Sequence, residues 1–205
     1  MKVTLGVLDF YKKNFPLFID EELWRTVHIS IFGKNPSFPD VPVEELEERF
    51  TRLEYKGAKA FLIRRLALKN YHSEELKKAL KQREVTSETI DMLLGEFKTQ
   101  GYLNDLAWLF SFIRTLRLQG FGFKAIILKL RMKGVSEEIS QDAIESVKGD
   151  EDEENDERAS IKKLINTRYR SRQLSEKKER DKVIGSLFRK GYQLDDIFAV
   201  IKSEF

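Results

Sequence analysis

The side chains in this sequence that could carry chemistry are mostly basic, and they gather in two clusters. The first cluster lies on two predicted helices and consists of Arg114, Arg117, Lys124, Lys129, Arg131 and Lys133. The second occupies fifteen consecutive positions and consists of Arg168, Arg170, Arg172, Lys177, Lys178, Arg180 and Lys182. Guanidinium and ammonium groups bind phosphate oxygens and carboxylates. The clusters therefore predict contact with a polyanion or an acidic protein surface, although any single member, taken alone, is more typical of a solvated helix face.

The acidic residues that would balance these clusters are concentrated elsewhere in the chain. Residues 58–149 hold 16 basic and 11 acidic side chains, and residues 158–205 hold 13 and 6. Residues 150–157 between them hold 7 acidic side chains and no basic one. Such a segregation favours a binding surface over two neutral helix faces, and it predicts a solvated linker or helix extension at 150–157.

Motifs for enzymatic chemistry are missing from the sequence. No glycine-rich stretch ends in Gly-Lys-Ser or Gly-Lys-Thr, and Gly120-Phe121-Gly122 opens a helix instead of following a strand. His28 and His72 are isolated, and residues 150–157 lack the spacing and the glycine of a calcium loop. The sequence therefore predicts a protein that is not an enzyme, with no metal and no cofactor.

Cysteine usage and hydropathy limit the compartment. Cysteine is absent, which excludes disulfides and thiol chemistry and favours a reducing compartment. The longest apolar run is far shorter than the roughly 18 residues that span a membrane. Charged residues at positions 2, 9, 12 and 13 interrupt the first fifteen positions, unlike a signal peptide. We expect a cytoplasmic, soluble protein with no membrane partner.

The first 57 residues differ from the rest, because they contain all four prolines. Residues 3–8, 16–19 and 23–32 predict short strands, with a turn at 20–22, so a small hairpin or three-stranded sheet is expected. Residues 33–40 predict a loop, and Val43 to Tyr55 predict a helix with Glu44 and Glu45 in its first turn.

From residue 58 onward the apolar period becomes helical, and one pattern occurs three times. Its copies are Leu76-x3-Leu80-x2-Arg83-Glu84-Val85, Ile126-x3-Leu130-x2-Lys133-Gly134-Val135 and Val183-x3-Leu187-x2-Lys190-Gly191-Tyr192. A basic residue in the last helical turn followed by glycine is typical of a helix C-terminus where the backbone needs positive φ. Each copy is flanked by two further predicted helices.

The pattern predicts a mainly α-helical fold of three tandem three-helix repeats, preceded by the small N-terminal sheet. The expected divisions are 1–57, 58–100, 101–149 and 150–205, giving an elongated, curved and monomeric molecule. A single compact helical bundle is the alternative. The final helices of the repeats are poor readers of DNA bases, because Glu137, Glu138, Asp195 and Asp196 put negative charge at their N-termini. Any contact with nucleic acid should therefore be made to the backbone.

Three segments carry a resemblance to the bacterial RecX regulatory proteins. The first comprises residues 101–105 with Ala107, Phe110, Ile113, Arg114 and Arg117. The second comprises residues 120–122 with Ile126, Leu130 and residues 133–135. The third comprises residues 187–192 and 195–197. The N-terminal hairpin and its connecting helix are similar to those of the longer family members, so the resemblance extends over nearly the whole chain.

The resemblance implies a non-enzymatic modulator of the RecA recombinase, with a role in DNA repair, recombination and the SOS response. Similar proteins consist of three three-helix repeats and lie in the groove of the RecA–DNA filament. There they block filament growth, ATP hydrolysis and strand exchange, and they meet single-stranded DNA through the filament or weakly on their own. The runner-up is a sequence-tolerant DNA-binding protein that competes for DNA. A third hypothesis is a helical scaffold for an unrelated acidic partner.

Overall fold

A computed structural model describes residues 2–149 and 156–204 of this chain. These residues form ten helices and, at the N-terminal end, a three-stranded antiparallel sheet, so the expected mainly helical class with a small sheet is confirmed. The chain divides into two compact units, Met1–Asp105 (unit 1) and Leu106–Phe205 (unit 2). Most of the acidic run predicted as a linker, residues 150–155, lies outside the described residues.

The sheet in unit 1 consists of β1 (Val3–Leu5), β2 (Asn14–Ile19) and β3 (Glu22–His28), in that order. Val3 pairs with Ile19, and Phe15 pairs with Val27. Asp20 and Glu21 form the β2–β3 turn with φ of 47° and 72°. Two residues of positive φ give a turn whose twist matches that of antiparallel strands, so the expected turn joins the two strands directly.

Two predicted strand ends are wrong. The strand expected over residues 3–8 ends at Leu5, and the strand expected over 23–32 ends at His28. Residues Ile29–Phe32 instead form a short helix, α1. The His28 Nδ1 atom accepts a hydrogen bond from the backbone N–H of Ser30 at 3.0 Å. This imidazole satisfies a donor at the start of the helix, and hydrophobic periodicity alone cannot reveal such a cap.

One long helix, α2 (Val43–Leu66), includes both the predicted helix from Val43 to Tyr55 and the beginning of the first predicted repeat at residue 58. Gly57 lies in its middle, beside the carbonyl of Ile31. A Cβ atom at position 57 would lie 2.0 Å from that oxygen, so the glycine permits the backbone of α1 to approach the helix. The sheet packs on the first half of α2 through a buried cluster of Phe15, Leu17, Val27 and Phe50.

In the described part of the chain, eight helices follow α2, and together with α2 they form three groups of three. Their bounds are α3 (Ser73–Lys81), α4 (Ser87–Thr99), α5 (Asp105–Leu118), α6 (Phe123–Met132), α7 (Glu137–Gly149), α8 (Glu157–Thr167), α9 (Lys177–Arg189) and α10 (Leu194–Glu204). Helices α2–α4, α5–α7 and α8–α10 each surround a buried cluster of their own, centred on Leu76, Ile126 and Leu187 respectively. We call these groups the first, second and third triplets. The expected boundary between residues 57 and 58 falls inside α2.

The turn between the second and third helix has the same backbone geometry in every triplet. Gly134 and Gly191 have φ of 91°, as expected for glycine after a helix, and Glu84 takes φ of 58° at the equivalent position. In the second triplet the N–H of Val135 donates to the Leu130 carbonyl at 3.1 Å, and equivalent bonds close the other two turns. These bonds satisfy carbonyls at the helix C-terminus and set the direction of the next helix.

Candidate polyanion-binding surface of unit 2

The second and third triplets meet in unit 2 where two glycine-containing turns touch. The N–H of Gly122 donates to the Lys190 carbonyl at 2.8 Å. A Cβ atom on Gly122 would lie 2.5 Å from the Gly191 oxygen, and one on Gly191 would lie 2.3 Å from the Ala125 nitrogen. Both obstacles are backbone atoms, which cannot swing aside as a side chain would. The contact therefore requires glycine at both positions, and it brings Lys190 of the third triplet beside Phe121 of the second.

The Phe121 ring at this contact carries two ammonium groups. Lys129 Nζ lies 4.5 Å and Lys190 Nζ 4.7 Å from the ring centroid. Lys190 also donates to the carbonyls of Gln119 and Gly120, at 3.2 and 3.1 Å. Burial lowers the pKa of Lys190, and the positive charge of Arg168 lowers it further. Lys129 and Lys190 thus lie over the Phe121 ring, and we call these three residues the Phe121 cluster.

Arg117 occupies a different position from the one expected of a contact residue. Its side chain is buried, and its guanidinium donates to the Ser160 hydroxyl at 2.7 Å and to the Phe121 carbonyl at 3.1 Å. It also lies 4.4 Å from the centroid of the Phe123 ring. Arg117 therefore fastens α5 to α8 within unit 2. The expectation that it faces a partner is corrected, because the folded chain already surrounds the charge.

Glu157 is the acidic counterpart of Arg117. Its Oε1 lies 3.6 Å from Arg117 Nη1 and accepts the backbone N–H of Phe123 at 2.8 Å. This carboxylate therefore caps the N-terminus of α6 from the first position of α8, where the helix dipole favours negative charge. Burial nevertheless raises the pKa of Glu157, and the Phe123 hydrogen bond and the Arg117 charge offset that rise only in part.

The other members of the first basic cluster lie on α5, on α6 and at the end of α6. Arg114 and Lys124 are exposed, and neither forms an ion pair with any carboxylate in residues 2–149 or 156–204. Arg131 is exposed and lies 3.4 Å from Glu137. Lys129 and Lys133 are half-buried, the first of them over the Phe121 ring. Three of the six predicted residues therefore present their charge directly to solvent.

The second basic cluster lies between α8 and the first turns of α9. Arg168 and Arg170 are exposed and have no ion-pair partner among the described side chains. Arg172 and Lys182 both bind Glu179, each at 2.6 Å, and Arg180 is half-buried. These two ion pairs hold the pKa of Glu179 below its usual value. Glu179 therefore neutralises part of the second cluster and leaves the charges near the end of α8 free to meet a partner.

The roles of Lys190 and Phe121 were not predicted from the sequence. Lys190 was recognised only as the basic residue before a C-terminal glycine. One signal that could have drawn attention to them is that Phe121 and Lys190 each immediately precede a glycine, Gly122 and Gly191. Arg117 could also have been placed correctly, because it follows Leu109 and Ile113 at intervals of four and so lies on their buried helix face.

The two histidines act as helix caps. His28 caps α1 as described, and His72 Nδ1 accepts the backbone N–H of Glu74 at 3.2 Å at the start of α3. Across residues 2–149 and 156–204, no three His, Asp or Glu side chains come together in a way that could hold a metal ion. In the same residues, no helix combines the length and the apolar character needed to cross a membrane.

The three helix triplets and the N-terminal sheet define a mainly α-helical repeat protein. Residues 155–201 match the family model described as "RecX, third three-helix domain". The regulatory protein RecX of Amycolatopsis mediterranei is 31% identical over 152 residues, which cover 73% of this chain and 84% of that protein. The RecX of Listeria monocytogenes is 26% identical over 200 residues, covering 94% and 71%. The chain belongs to the RecX family.

Solved structures show the same fold. A crystal structure of regulatory protein RecX aligns over 99% of both chains with a TM-score of 0.61 and 21% identity. That of RecX from Lactobacillus salivarius covers 73% of this chain and 95% of its own, with a TM-score of 0.58 and 21% identity. The first of these alignments, which covers 99% of both chains, therefore includes the N-terminal sheet as well as the helix triplets.

Proposed function

We propose that this chain regulates the RecA recombinase by binding in the groove of the RecA–DNA filament, where it inhibits filament growth, ATP hydrolysis and strand exchange without catalysing a reaction. Membership of a family whose proteins are named regulatory supports the proposal. The observation that carries it is the set of exposed cations in unit 2 without a carboxylate partner among the described residues. The members that the proposal uses are Arg114, Lys124, Arg168 and Arg170.

Such cations suit a filament that offers protein carboxylates and DNA phosphates side by side. An Arg fork can bind either group through two parallel hydrogen bonds. Each exposed contact contributes little, about 1 kcal/mol or less. Several contacts made by one molecule to neighbouring RecA subunits raise the effective concentration of each, so the total affinity exceeds that of any one. Inhibition at low ratios of this protein to RecA follows from that multiplicity.

Burial divides the predicted residues into proposed contacts and one proposed positioning residue. We keep as proposed contacts Arg114, Lys124, Lys129, Arg131, Lys133, Arg168, Arg170, Arg172, Arg180 and Lys182. Arg117 has a positioning role instead, because its buried guanidinium fastens α5 to α8. Lys190 joins the contacts through the Phe121 cluster.

The experiment is a titration of this protein into the cognate RecA on single-stranded DNA, with the ATPase rate as the readout. We expect inhibition well below one molecule per RecA. The variant Arg114→Ala/Lys124→Ala/Arg131→Ala should lose most of that inhibition while its helical circular dichroism stays unchanged. The matched control is Arg52→Ala/Lys56→Ala/Arg64→Ala, which removes three exposed cations from α2 in unit 1. Full inhibition by the unit 2 variant would contradict the proposed surface.

A second candidate is direct competition for DNA, and the dense basic stretch from Arg168 to Lys182 favours it. Phosphate contacts release counterions, so this mechanism requires tight binding to free DNA with a steep dependence on salt. Binding of free DNA is therefore measured in the ATPase buffer. Inhibition that sets in only once this protein saturates the DNA would support the competitor, whereas substoichiometric inhibition with weak DNA binding supports action on the filament.

A further inference from the structure

The loop between β1 and β2 exposes apolar side chains at the edge of unit 1. We call residues 6–13 the hairpin tip. Within it Tyr11 is 99% exposed, Val7 87% and Phe10 79%. Leaving two aromatic rings in water forgoes the stabilisation that their burial would contribute, about 25 cal/mol per Å² of apolar surface. Neighbouring exposed aromatic residues are typical of a surface that meets a partner.

The backbone of the hairpin tip is held in one conformation. The Asp9 Oδ1 atom accepts the N–H groups of Tyr11 and Lys12 at 2.9 and 3.0 Å. The Asp9 carbonyl accepts the N–H of Lys13 at 2.6 Å, and Lys13 takes φ of 60° to close the loop. Asp9 also forms an isolated β-bridge with Asn14. The two rings are therefore presented by an ordered turn, which lowers the entropic cost of binding.

The charge at the hairpin tip is positive. Lys12 and Lys13 are both exposed and follow the rings directly, while the Asp9 carboxylate is engaged by the backbone. The acidic turn at residues 20–22 lies at the opposite end of the sheet, because β1 and β2 pair antiparallel with Val3 opposite Ile19. His28 and Arg83 lie near the base of the tip, where burial and then the charges of Arg83 and Lys13 lower the pKa of His28. The aromatic rings are thus accompanied by cations and by no free carboxylate among the described residues of the tip.

We infer that the hairpin tip binds single-stranded nucleic acid, with unpaired bases stacking on Phe10 and Tyr11 while Lys12 and Lys13 contact the adjacent phosphates. Every base offers a flat face, so stacking on aromatic rings tolerates any sequence. A duplex hides those faces inside its base stack, which gives the tip a preference for single strands. The inference concerns unit 1 alone and does not require RecA, so it stands or falls separately from the proposed function.

The test measures binding of the full chain to a fluorescein-labelled oligothymidylate by fluorescence anisotropy across a range of salt concentrations. Phe10→Ala/Tyr11→Ala should weaken binding at least about tenfold, because each base stacked on an aromatic ring contributes about 1–3 kcal/mol of binding free energy. The same variant should leave the salt dependence of binding unchanged. Lys12→Ala/Lys13→Ala should instead reduce the slope of log K against log salt by about 1.4, the value for two phosphate contacts to a single strand. An oligouridylate measured in parallel distinguishes RNA from DNA as the preferred strand.

Matched variants separate stacking from general exposure. Phe10→Tyr/Tyr11→Phe keeps both rings and should retain the wild-type affinity. Val7→Ala removes an exposed apolar side chain from the same loop, and Phe198→Ala removes a half-exposed ring from α10; neither should weaken binding. Asp9→Ala keeps the rings but releases the turn and should give an intermediate loss. A 5-iodouracil oligonucleotide should crosslink under ultraviolet light to Phe10 or Tyr11, located by mass spectrometry.

Several results would overturn the inference. They are wild-type affinity in Phe10→Ala/Tyr11→Ala, no measurable binding of the oligonucleotide by the wild type at low salt, and an equal loss of duplex and single-strand binding. If Phe10→Ala/Tyr11→Ala lost binding to vesicles of phosphatidylserine and phosphatidylcholine but kept its binding to the oligonucleotide, the hairpin tip would be assigned to a membrane surface instead. Because each of these measurements uses free nucleic acid, a failure to inhibit RecA would leave the inference about the hairpin tip unaffected.

Discussion

Each unit contains a carboxylate that caps the N-terminus of a helix from another triplet, and the two carboxylates differ in their electrostatic surroundings. In unit 1 the Asp105 carboxylate, at the first position of α5, accepts the backbone N–H of Ser73 at 2.7 Å and its hydroxyl at 2.6 Å. In unit 2 the Glu157 carboxylate, at the first position of α8, accepts the N–H of Phe123 at 2.8 Å. In each case the first residue of a triplet caps the second helix of the triplet before it, from 32 or 34 residues further along the chain.

The two carboxylates differ in the cation beside them. Asp105 lies 2.8 Å from Lys98, an exposed residue, whereas Glu157 lies 3.6 Å from Arg117, which is buried. Burial acts to raise the pKa of Asp105, but hydrogen bonds from Lys98 and Ser73 outweigh it and the pKa is lowered. For Glu157 burial prevails and the pKa is raised. The same cap therefore favours the charged acid in unit 1 and disfavours it in unit 2.

The largest expected effect comes from removing the buried cation. Arg117→Met should lower the free energy of unfolding by about 3–5 kcal/mol, because it leaves Glu157 buried without its charge partner. Lys98→Met, the matched change in unit 1, should cost about 1 kcal/mol or less, because exposed ion pairs contribute little. Urea denaturation followed by circular dichroism measures both. Equal losses in the two variants would remove the distinction between the caps.

The second prediction tests the backbone contact found in unit 2. Gly122→Ala should cost about 2–3 kcal/mol, because the new methyl group meets the Gly191 carbonyl and the two turns must separate. Gly101→Ala is the control in unit 1. Its φ is 76° and no atom lies within 4 Å of the place that the new methyl group would take, so the substitution should cost only the backbone penalty of about 1 kcal/mol. Thermal unfolding midpoints should follow that order, and a reversal would argue against the tight contact.

The third prediction concerns pH, because Asp105 and Glu157 should change the stability of the fold in opposite directions as the pH falls. The lowered pKa of Asp105 stabilises the fold above the unfolded value of 3.8, and this contribution is lost as the pH falls below it. The raised pKa of Glu157 makes the fold gain stability as the pH falls from neutral toward the unfolded value of 4.5. Asp105→Ala should cost about 1 kcal/mol at neutral pH through the lost cap.

Unfolding free energies measured along a pH series distinguish these signs. Glu157→Gln should abolish the gain between neutral pH and 4.5, while Asp105→Ala should abolish the loss below 3.8. The substitution Glu138→Gln, at an exposed position in α7, serves as the control for removing a surface carboxylate and should leave both effects in place. A wild-type stability that falls steadily with pH from neutral onward would contradict the raised pKa of Glu157.

The smallest effect is expected in the turns between second and third helices. Glu84→Gly should stabilise unit 1 by about 0.5–1 kcal/mol, because Glu84 takes φ of 58° where glycine meets no steric cost. The reciprocal change Gly134→Glu should destabilise unit 2 by a similar amount. Differential scanning calorimetry should show a raised unfolding temperature for Glu84→Gly and a lowered one for Gly134→Glu. A lowered unfolding temperature in Glu84→Gly would mean that the Glu84 side chain itself stabilises the turn.

Much of the fold could be predicted because it depends on local patterns. The apolar spacing of Leu76 and Leu80 and of their equivalents located the helices, and the glycines at 134 and 191 located turns that do have positive φ. The end of β3 and the continuity of α2 were missed, since they depend on a histidine cap and on the packing of Gly57 against a distant carbonyl.

The candidate site was less predictable for the same reason. Composition identified its basic residues, but composition does not distinguish a cation that neutralises a buried acid from one that faces solvent; for Arg117 only the helical spacing with Leu109 and Ile113 does so. Arg117 and Arg114 are three positions apart on α5 and have opposite environments. The Phe121 cluster brings together residues from two triplets, and that grouping follows from a backbone contact between distant turns.

The unbroken course of α2 bears on how unit 1 opens and closes. Its first half supports the sheet through Phe50, and its second half contributes Leu62 to the core of the first triplet. A continuous helix of 24 residues that belongs to two cores ties their opening into one cooperative event. Amide protons in β2 and in the second half of α2 should therefore exchange with solvent at a common free energy, and the sheet should not melt as an independent foldon.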